Sequence, residues 1–334
     1  MGYRVLISAP YLIPQLERFR EHFRLAGIEV ILAEVNERLG ETELLEYVGS
    51  VDGVICGDDR FTSQVLERAA PHLKVISKWG TGVDSIDLEV ARRLGVKVFN
   101  TPGAFTDPVA DSVLGYVLAF ARNLPWTDRE LKGGRWTKRT ARALNECALG
   151  VAGVGRIGKA VLRRARPFGM KLLGNDIVEI DAGFVEQVGV EMTSLDELLA
   201  QADFVSLNCD LNPTSHQLMN AERLAMMKAG AVLVNTARGP VVDEPALIEA
   251  LQSGRLGGAA LDVFEQEPLP ADSPLRRMDN VLLAPHNANS SPSAWERVHS
   301  NTIRNLFLGL GLEPPQEVRE ATAGTGARAG NPGK

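Results

Sequence analysis

The chain has 334 residues, 45% of them hydrophobic, and a formal net charge of -6. That length suits two domains with real cores. The negative balance excludes an electrostatic footprint for nucleic acid, and Arg163, Arg164 and Arg166 fall on a helix pattern as a solvated face. No apolar run approaches a membrane span, and the first residues read as a strand rather than a leader. Cys56, Cys147 and Cys209 are widely spaced without a CxxC, so neither a disulfide framework nor a metal site is expected. A reducing, cytoplasmic setting follows as the expectation.

In chain order, residues 5–8 predict a strand, 16–26 a helix, 29–32 a strand, 41–48 a helix and 53–56 a strand. Residues 63–70 predict a helix, 75–77 a strand, and 88–94 a helix leading to a strand at 96–99. Short apolar strands separated by helices imply a parallel sheet covered on both faces. Asn100-Thr101-Pro102-Gly103 breaks this rhythm, and residues 108–122 predict a long apolar helix. A second series has strands at 148–152, 171–175, 204–207, 231–235, 259–261 and 281–283. Its helices fall at 159–168, 195–202, 221–227 and 245–253. Residues 292–310 predict one more helix.

The expected fold is therefore α/β with two doubly wound parallel-sheet domains. A Rossmann dinucleotide-binding domain, residues 101–287, is inserted into a discontinuous flavodoxin-like substrate domain, residues 1–100 plus 288–315. Residues 316–334, rich in Ala, Gly, Thr and charge, are expected to form a disordered tail.

The most informative stretch is Leu149-Gly150-Val151-Ala152-Gly153-Val154-Gly155-Arg156-Ile157-Gly158. Gly153, Gly155 and Gly158 stand in G-x-G-x-x-G spacing between an apolar strand and a helix. Gly153 permits a tight turn, Gly155 a close approach to a pyrophosphate, and Gly158 close packing of helix on strand. The next strand ends in Asp176, an acid placed to accept both ribose hydroxyls and to repel a 2′-phosphate, so NAD is expected over NADP.

Three polar clusters follow later strands, where side chains point toward the ligand end of an open α/β sheet. They carry Arg238, Asp262 with Glu265 and Glu267, and His286. Such a set suits transfer of a hydride between an alcohol and a carbonyl. Imidazole exchanges the alcohol proton, a carboxylate orients it and stabilises its charged form, and a guanidinium grips a substrate carboxylate. His286 is read as acid/base, Glu267 as its partner and Arg238 as the clamp. Each has a plainer alternative. Arg238 suits a helix cap or a pair with Asp243, Glu265 competes with Glu267, and His286 suits a packing role. His216 is the rival histidine, read as a structural contact, and His22, His72 and His299 as surface or packing residues.

On several motifs together the chain resembles the D-isomer-specific 2-hydroxyacid dehydrogenase family, the group that includes D-3-phosphoglycerate dehydrogenase. The motifs are Lys78-Trp79-Gly80-Thr81-Gly82-Val83-Asp84, Asn100-Thr101-Pro102-Gly103, the glycine fingerprint, Thr236-Ala237-Arg238-Gly239, Asp262-Val263-Phe264, Glu267-Pro268 and Pro285-His286. The resemblance implies an NAD-dependent oxidoreductase with Arg238, Glu267 and His286 as the catalytic set. It implies cofactor contacts at Thr81, Arg156, Ile157, Asp176, Cys209, Thr236, Ala237 and Asp262. It also implies that the Gly80–Gly82 loop receives the substrate carboxylate, and that a homodimer forms through the nucleotide domain, with Trp136 reaching toward the partner. A non-catalytic NAD(H)-sensing corepressor on the same fold is the alternative.

The chain departs from the family at His286-Asn287-Ala288-Asn289 and at Cys209-Asp210-Leu211. The substrate stays open. A phosphorylated acid would need cations such as Lys78 or Arg60, whereas Gly57-Asp58-Asp59 places two carboxylates at the same strand end.

Overall fold

In the computed structural model, which describes residues 2–322, every sheet strand runs parallel to its neighbours. The chain divides into two units, residues 1–105 with the stretch from Ser291 onward, and Thr106–Ser290.

The first unit holds β1 (Tyr3–Ile7), β2 (Ile28–Leu32), β3 (Gly53–Cys56), β4 (Val75–Lys78) and β5 (Lys97–Phe99), in spatial order β2-β1-β3-β4-β5. Val5 stands opposite both Val30 and Gly53, and Ser77 opposite both Ile55 and Phe99. β3 and β4 are buried along their whole length, as strands covered on both faces are, and in β4 this takes in Ser77 and Lys78. The helix Pro292–Leu310 returns to this unit, and its Val298, Ile303, Leu306, Phe307 and Leu310 are buried. The expected helix at 16–26 is split, a 3-10 stretch at Ile13–Phe19 followed by an α-helix at Arg20–Leu25. Residues 316–322 correct the expected tail. Gln316–Thr322 is helical, with Val318 buried and Glu317 accepting from His22. One apolar anchor in seven residues gives no periodicity, so composition alone hid it. The rest of the expected tail lies outside the described residues.

The second unit holds β6 (Ala148–Ala152), β7 (Lys171–Asn175), β8 (Glu191–Met192), β9 (Phe204–Leu207), β10 (Val232–Asn235), β11 (Gly258–Leu261) and β12 (Val281–Leu283), in order β12-β11-β10-β9-β6-β7-β8. The order reverses at β6, whose neighbours are β7 and β9, and this switch point places the fingerprint loop at a ligand crevice. Helix Thr106–Ala121 buries Ala110, Val113, Leu114 and Val117 on one face of this sheet, together with Val161 and Leu162 of the fingerprint helix. On the other face Leu198, Leu224 and Leu247 come from three successive helices. Helices Leu124–Lys132 and Ala182–Val188 and strand β8 had no sequence-level expectation. The first buries no residue and so shows no apolar stripe.

Asp203 ties the base of this sheet together. Its carboxylate accepts from Ala148 N–H at 2.8 Å, Lys228 Nζ at 2.7 Å and Arg142 Nη1 at 2.8 Å. Burial opposes its ionisation, yet the bonds from Arg142, Lys228 and Ala148 prevail and hold its pKa to about 2. A depressed carboxylate stabilises the fold above its unfolded pKa, and the gain is lost as pH falls from about 4 toward 2. Asp203→Asn should therefore cost on the order of 1–2 kcal/mol at neutral pH, discounted for the half-exposed cations, and far less near pH 2. Urea melts at the two pH values measure this, and an equal loss at both would contradict it.

Candidate active site

The fingerprint helix is Arg156–Ala165, so it begins three residues earlier than the sequence pattern suggested and Gly158 lies in its first turn. The reason is that Arg156-Ile157-Gly158 has no apolar periodicity of its own. Gly153 adopts φ +91°, and a β-carbon there would sit 2.7 Å from Cys209 N. A β-carbon on Gly158 would meet the Gly153 carbonyl oxygen at 2.0 Å. Both glycines are thus required by the protein itself. Gly155 is different. Its φ of -74° and ψ of -152° suit any residue, and an added β-carbon would meet nothing within 4 Å. Its glycine makes sense as a cradle that a β-carbon would fill, left open for a ligand. The first helical bond runs from Lys159 N–H to Gly155 O, so the amides of Arg156, Ile157 and Gly158 lie ahead of the ladder, at the positive end of the dipole. This donor set fits a pyrophosphate.

Asp176 is fixed beside that loop. Its Oδ2 accepts from Val154 N–H at 2.6 Å and its Oδ1 from Val178 N–H at 3.1 Å. Cys209, after β9, is half-buried, and burial pushes its thiol up to about 11, so it stands as a small neutral group.

Arg238, Glu267 and His286 come from the ends of β10, β11 and β12. Asn235 ends β10 and braces the turn, donating to Arg238 O at 2.9 Å and accepting from Ala237 N–H at 3.0 Å. The Arg238 guanidinium donates to Ala237 O at 2.9 Å. Thr236 keeps its hydroxyl oxygen buried without a hydrogen-bond partner. Glu267 accepts from Phe264 N–H at 3.0 Å through Oε1, and its Oε2 lies 3.0 Å from His286 Nδ1. Glu265, the competing acid, faces another way, its Oε1 accepting from Glu244 N–H at the start of helix Glu244–Gln252. Asp243 caps that same helix through Ala246 N–H. His216 is exposed on its loop.

His286 adopts φ +52°, a left-handed conformation that costs a non-glycine residue about 1 kcal/mol or more. Asp262 holds it there. Asp262 O accepts from His286 N–H at 2.8 Å, and the two carboxylate oxygens accept from Asn287 N–H at 2.7 Å and Ala288 N–H at 2.9 Å. Burial raises the Asp262 pKa, while those two amide donors favour its charged form. Neither Asn235 nor this bracing by Asp262 was assigned from sequence. A polar residue ending an otherwise apolar strand was the available signal for Asn235.

In the first unit, the Lys78-to-Asp84 motif turns out of β4. Gly80 takes φ +140°, and its carbonyl accepts both the amide and the hydroxyl of Thr101. Asn100 Nδ2 donates to Thr81 O at 2.6 Å, and Thr81 Oγ1 donates to Thr101 O at 3.3 Å. The Asn100-to-Gly103 motif is thus the brace of the Gly80–Gly82 loop. Behind it, Trp79 Nε1 donates to His299 Nδ1 at 3.0 Å, and burial lowers the His299 pKa, which keeps that nitrogen an acceptor. Lys78 Nζ pairs with Asp58 Oδ1 at 2.9 Å. Asp59 is buried and accepts from Leu39 N–H and the Ser8 hydroxyl.

Fingerprint, topological switch point and three polar strand ends define a dinucleotide-dependent oxidoreductase. The model of the D-isomer specific 2-hydroxyacid dehydrogenase NAD binding domain matches residues 114–288. A glyoxylate reductase of Thermofilum pendens is 42% identical over 288 residues, 83% of this chain and 84% of that protein. A D-3-phosphoglycerate dehydrogenase of Methanocaldococcus jannaschii is 42% identical over 80% of this chain, but over only 51% of its own length. The D-lactate dehydrogenase of Aquifex aeolicus, solved with NAD and lactic acid, superposes with a TM-score of 0.83 at 28% identity, covering 96% of this chain and 98% of that one. The chain belongs to the D-isomer-specific 2-hydroxyacid dehydrogenase family, and NAD is its cofactor. Among the described residues, no helix is long and apolar enough to cross a membrane.

Proposed function

We propose that the chain reduces short 2-keto acids to D-2-hydroxy acids with NADH, and runs the reverse reaction with NAD. His286 exchanges the substrate proton, Glu267 orients and charges His286, and Arg238 clamps the substrate carboxylate. The observation that carries this reading is the 3.0 Å approach of Glu267 Oε2 to His286 Nδ1. A carboxylate facing Nδ1 makes that nitrogen the donor and leaves proton exchange with substrate to Nε2. The bound nicotinamide supplies or takes the hydride. All else falls to this chain. The amides at the start of helix Arg156–Ala165 would hold the pyrophosphate and Asp176 the ribose, while Gly80–Gly82 would offer backbone amides to the substrate carboxylate.

Relatives named glyoxylate reductase and hydroxypyruvate reductase support a small substrate. Steady NADH oxidation across a panel of glyoxylate, hydroxypyruvate, pyruvate, 3-phosphohydroxypyruvate and larger keto acids tests the proposal. Tight NADH binding with no turnover on any of them would favour a sensing role instead.

The cofactor site gives a sharper expectation. Gly155→Ala should melt like the wild type yet bind NADH at least about tenfold more weakly, because the added methyl occupies space only a ligand needs. Titration with NADH beside a thermal melt decides it, and unchanged affinity would sink the assignment. With Asp176 in place, NADH should outperform NADPH in the same assays.

We also infer a homodimer through the second unit. The apolar face of helix Thr106–Ala121 is covered within its own unit, so it does not by itself supply a contact surface. Exposed apolar side chains lie further on, at Leu124, Leu131 and Trp136, the last 86% exposed. Light scattering at micromolar protein should give twice the chain mass, and Trp136→Ala with Leu131→Ser should lower it. A monomeric mass for the wild type would refute the inference.

A further inference from the structure

Two neighbouring acids at the end of β3 have opposite surroundings. Asp59 is fully buried, both its oxygens taken by Leu39 N–H and the Ser8 hydroxyl, and its role is to hold the loop. The Asp58 side chain is 36% exposed, and its carboxylate lies on the Lys78 ammonium, whose side chain is only 3% exposed. Lys78 ends β4 and leads straight into Gly80, where an ideal β-carbon would stand 3.3 Å from Lys78 Nζ. The cation therefore lies against the Gly80–Gly82 loop but beneath a carboxylate. A group arriving from solvent meets the anion first.

We infer that the Asp58–Lys78 pair is a charge filter for the substrate's substituent. It admits 2-keto monocarboxylates with a small neutral substituent, such as hydrogen, methyl or hydroxymethyl. It rejects those with a second anionic group, phosphate or carboxylate. The inference rests on the reading of Gly80–Gly82 as the substrate-carboxylate loop. The Lys78 ammonium is already matched by the Asp58 carboxylate, so its charge is not available to compensate an incoming dianion. A like charge a few ångströms away, partly shielded from water, is enough for about tenfold discrimination or more. A carboxylate that merely stabilised a buried lysine would affect all substrates alike.

Hydroxypyruvate and 3-phosphohydroxypyruvate differ by one phosphate and make the matched pair for the test. The wild type should favour hydroxypyruvate in kcat/KM, and raising the ionic strength should lift the phosphorylated substrate's relative rate, because salt screens a repulsion. Asp58→Asn and Asp58→Ser should each raise the ratio of phosphorylated to unphosphorylated kcat/KM by about tenfold or more, by exposing Lys78 to the substrate. Adding Lys78→Met to either variant should abolish that gain. A wild type that prefers the phosphorylated acid, a ratio that falls with salt, or folded Asp58 variants with an unchanged ratio would each overturn the filter. A wild type that oxidises NADH with no 2-keto acid would overturn the reading of the site itself, a separate failure.

Discussion

Arg238→Lys should lower kcat/KM for the best keto acid by about a hundredfold while leaving NADH affinity close to normal. Lysine keeps the charge but replaces a planar fork with a single point, and a carboxylate substrate held at one point is free to rotate away from the transferring hydride. The loss should appear in KM and kcat together, since in the proposed clamp role the guanidinium would both bind the carboxylate and polarise the keto oxygen. The surrounding turn should persist, because Asn235 braces the Arg238 backbone through its carbonyl and not through the side chain. Steady-state kinetics with a parallel NADH titration provide the check. Near-wild-type turnover would remove Arg238 from the clamp role.

The strands were readable because each is a short apolar run between polar or glycine breaks, and six of the second unit's strands fall where the pattern put them. What escaped was structure with little burial behind it. Helix Leu124–Lys132 buries nothing, and Ala182–Val188 buries only Phe184 and Val188, so neither leaves a 3.6-residue stripe. At the site, parallel topology made the strand-end clusters legible as neighbours. The choice between Glu265 and Glu267 was not, because two acids two residues apart differ only in what folds against them. Glu265 meets the start of helix Glu244–Gln252, whereas Glu267 meets the imidazole. Asp58 and Asp59 teach the same lesson. One is a buried tie for its loop and the other a half-exposed partner of Lys78, and chemistry alone cannot rank them.

His286→Ala should remove nearly all turnover, a loss of about a hundredfold to ten-thousandfold, because the proton then has no positioned carrier. The companion variant Glu267→Gln should give the more telling result. In the wild type one carboxylate oxygen accepts from Phe264 N–H and the other faces His286 Nδ1. An amide offers one acceptor and one donor, so it cannot serve both, and the imidazole loses either its orientation or its acceptor. The negative charge goes as well. Keto-acid reduction needs the imidazolium, and a neighbouring carboxylate favours the charged ring. With that carboxylate neutralised, the proton leaves at lower pH, so the falling limb of the reduction profile should move to lower pH. Activity should weaken without vanishing, because the Asp262 carboxylate also acts on His286 and still holds its loop through Asn287 and Ala288. Oxidation of the hydroxy acid, which needs the neutral ring, should have its rising limb moved the same way. Profiles of kcat/KM against pH for wild type, Glu267→Gln and Glu265→Gln make the comparison. A limb that stays in place with Glu267→Gln, or one that moves with Glu265→Gln instead, would show that Glu267 is not the group that charges His286.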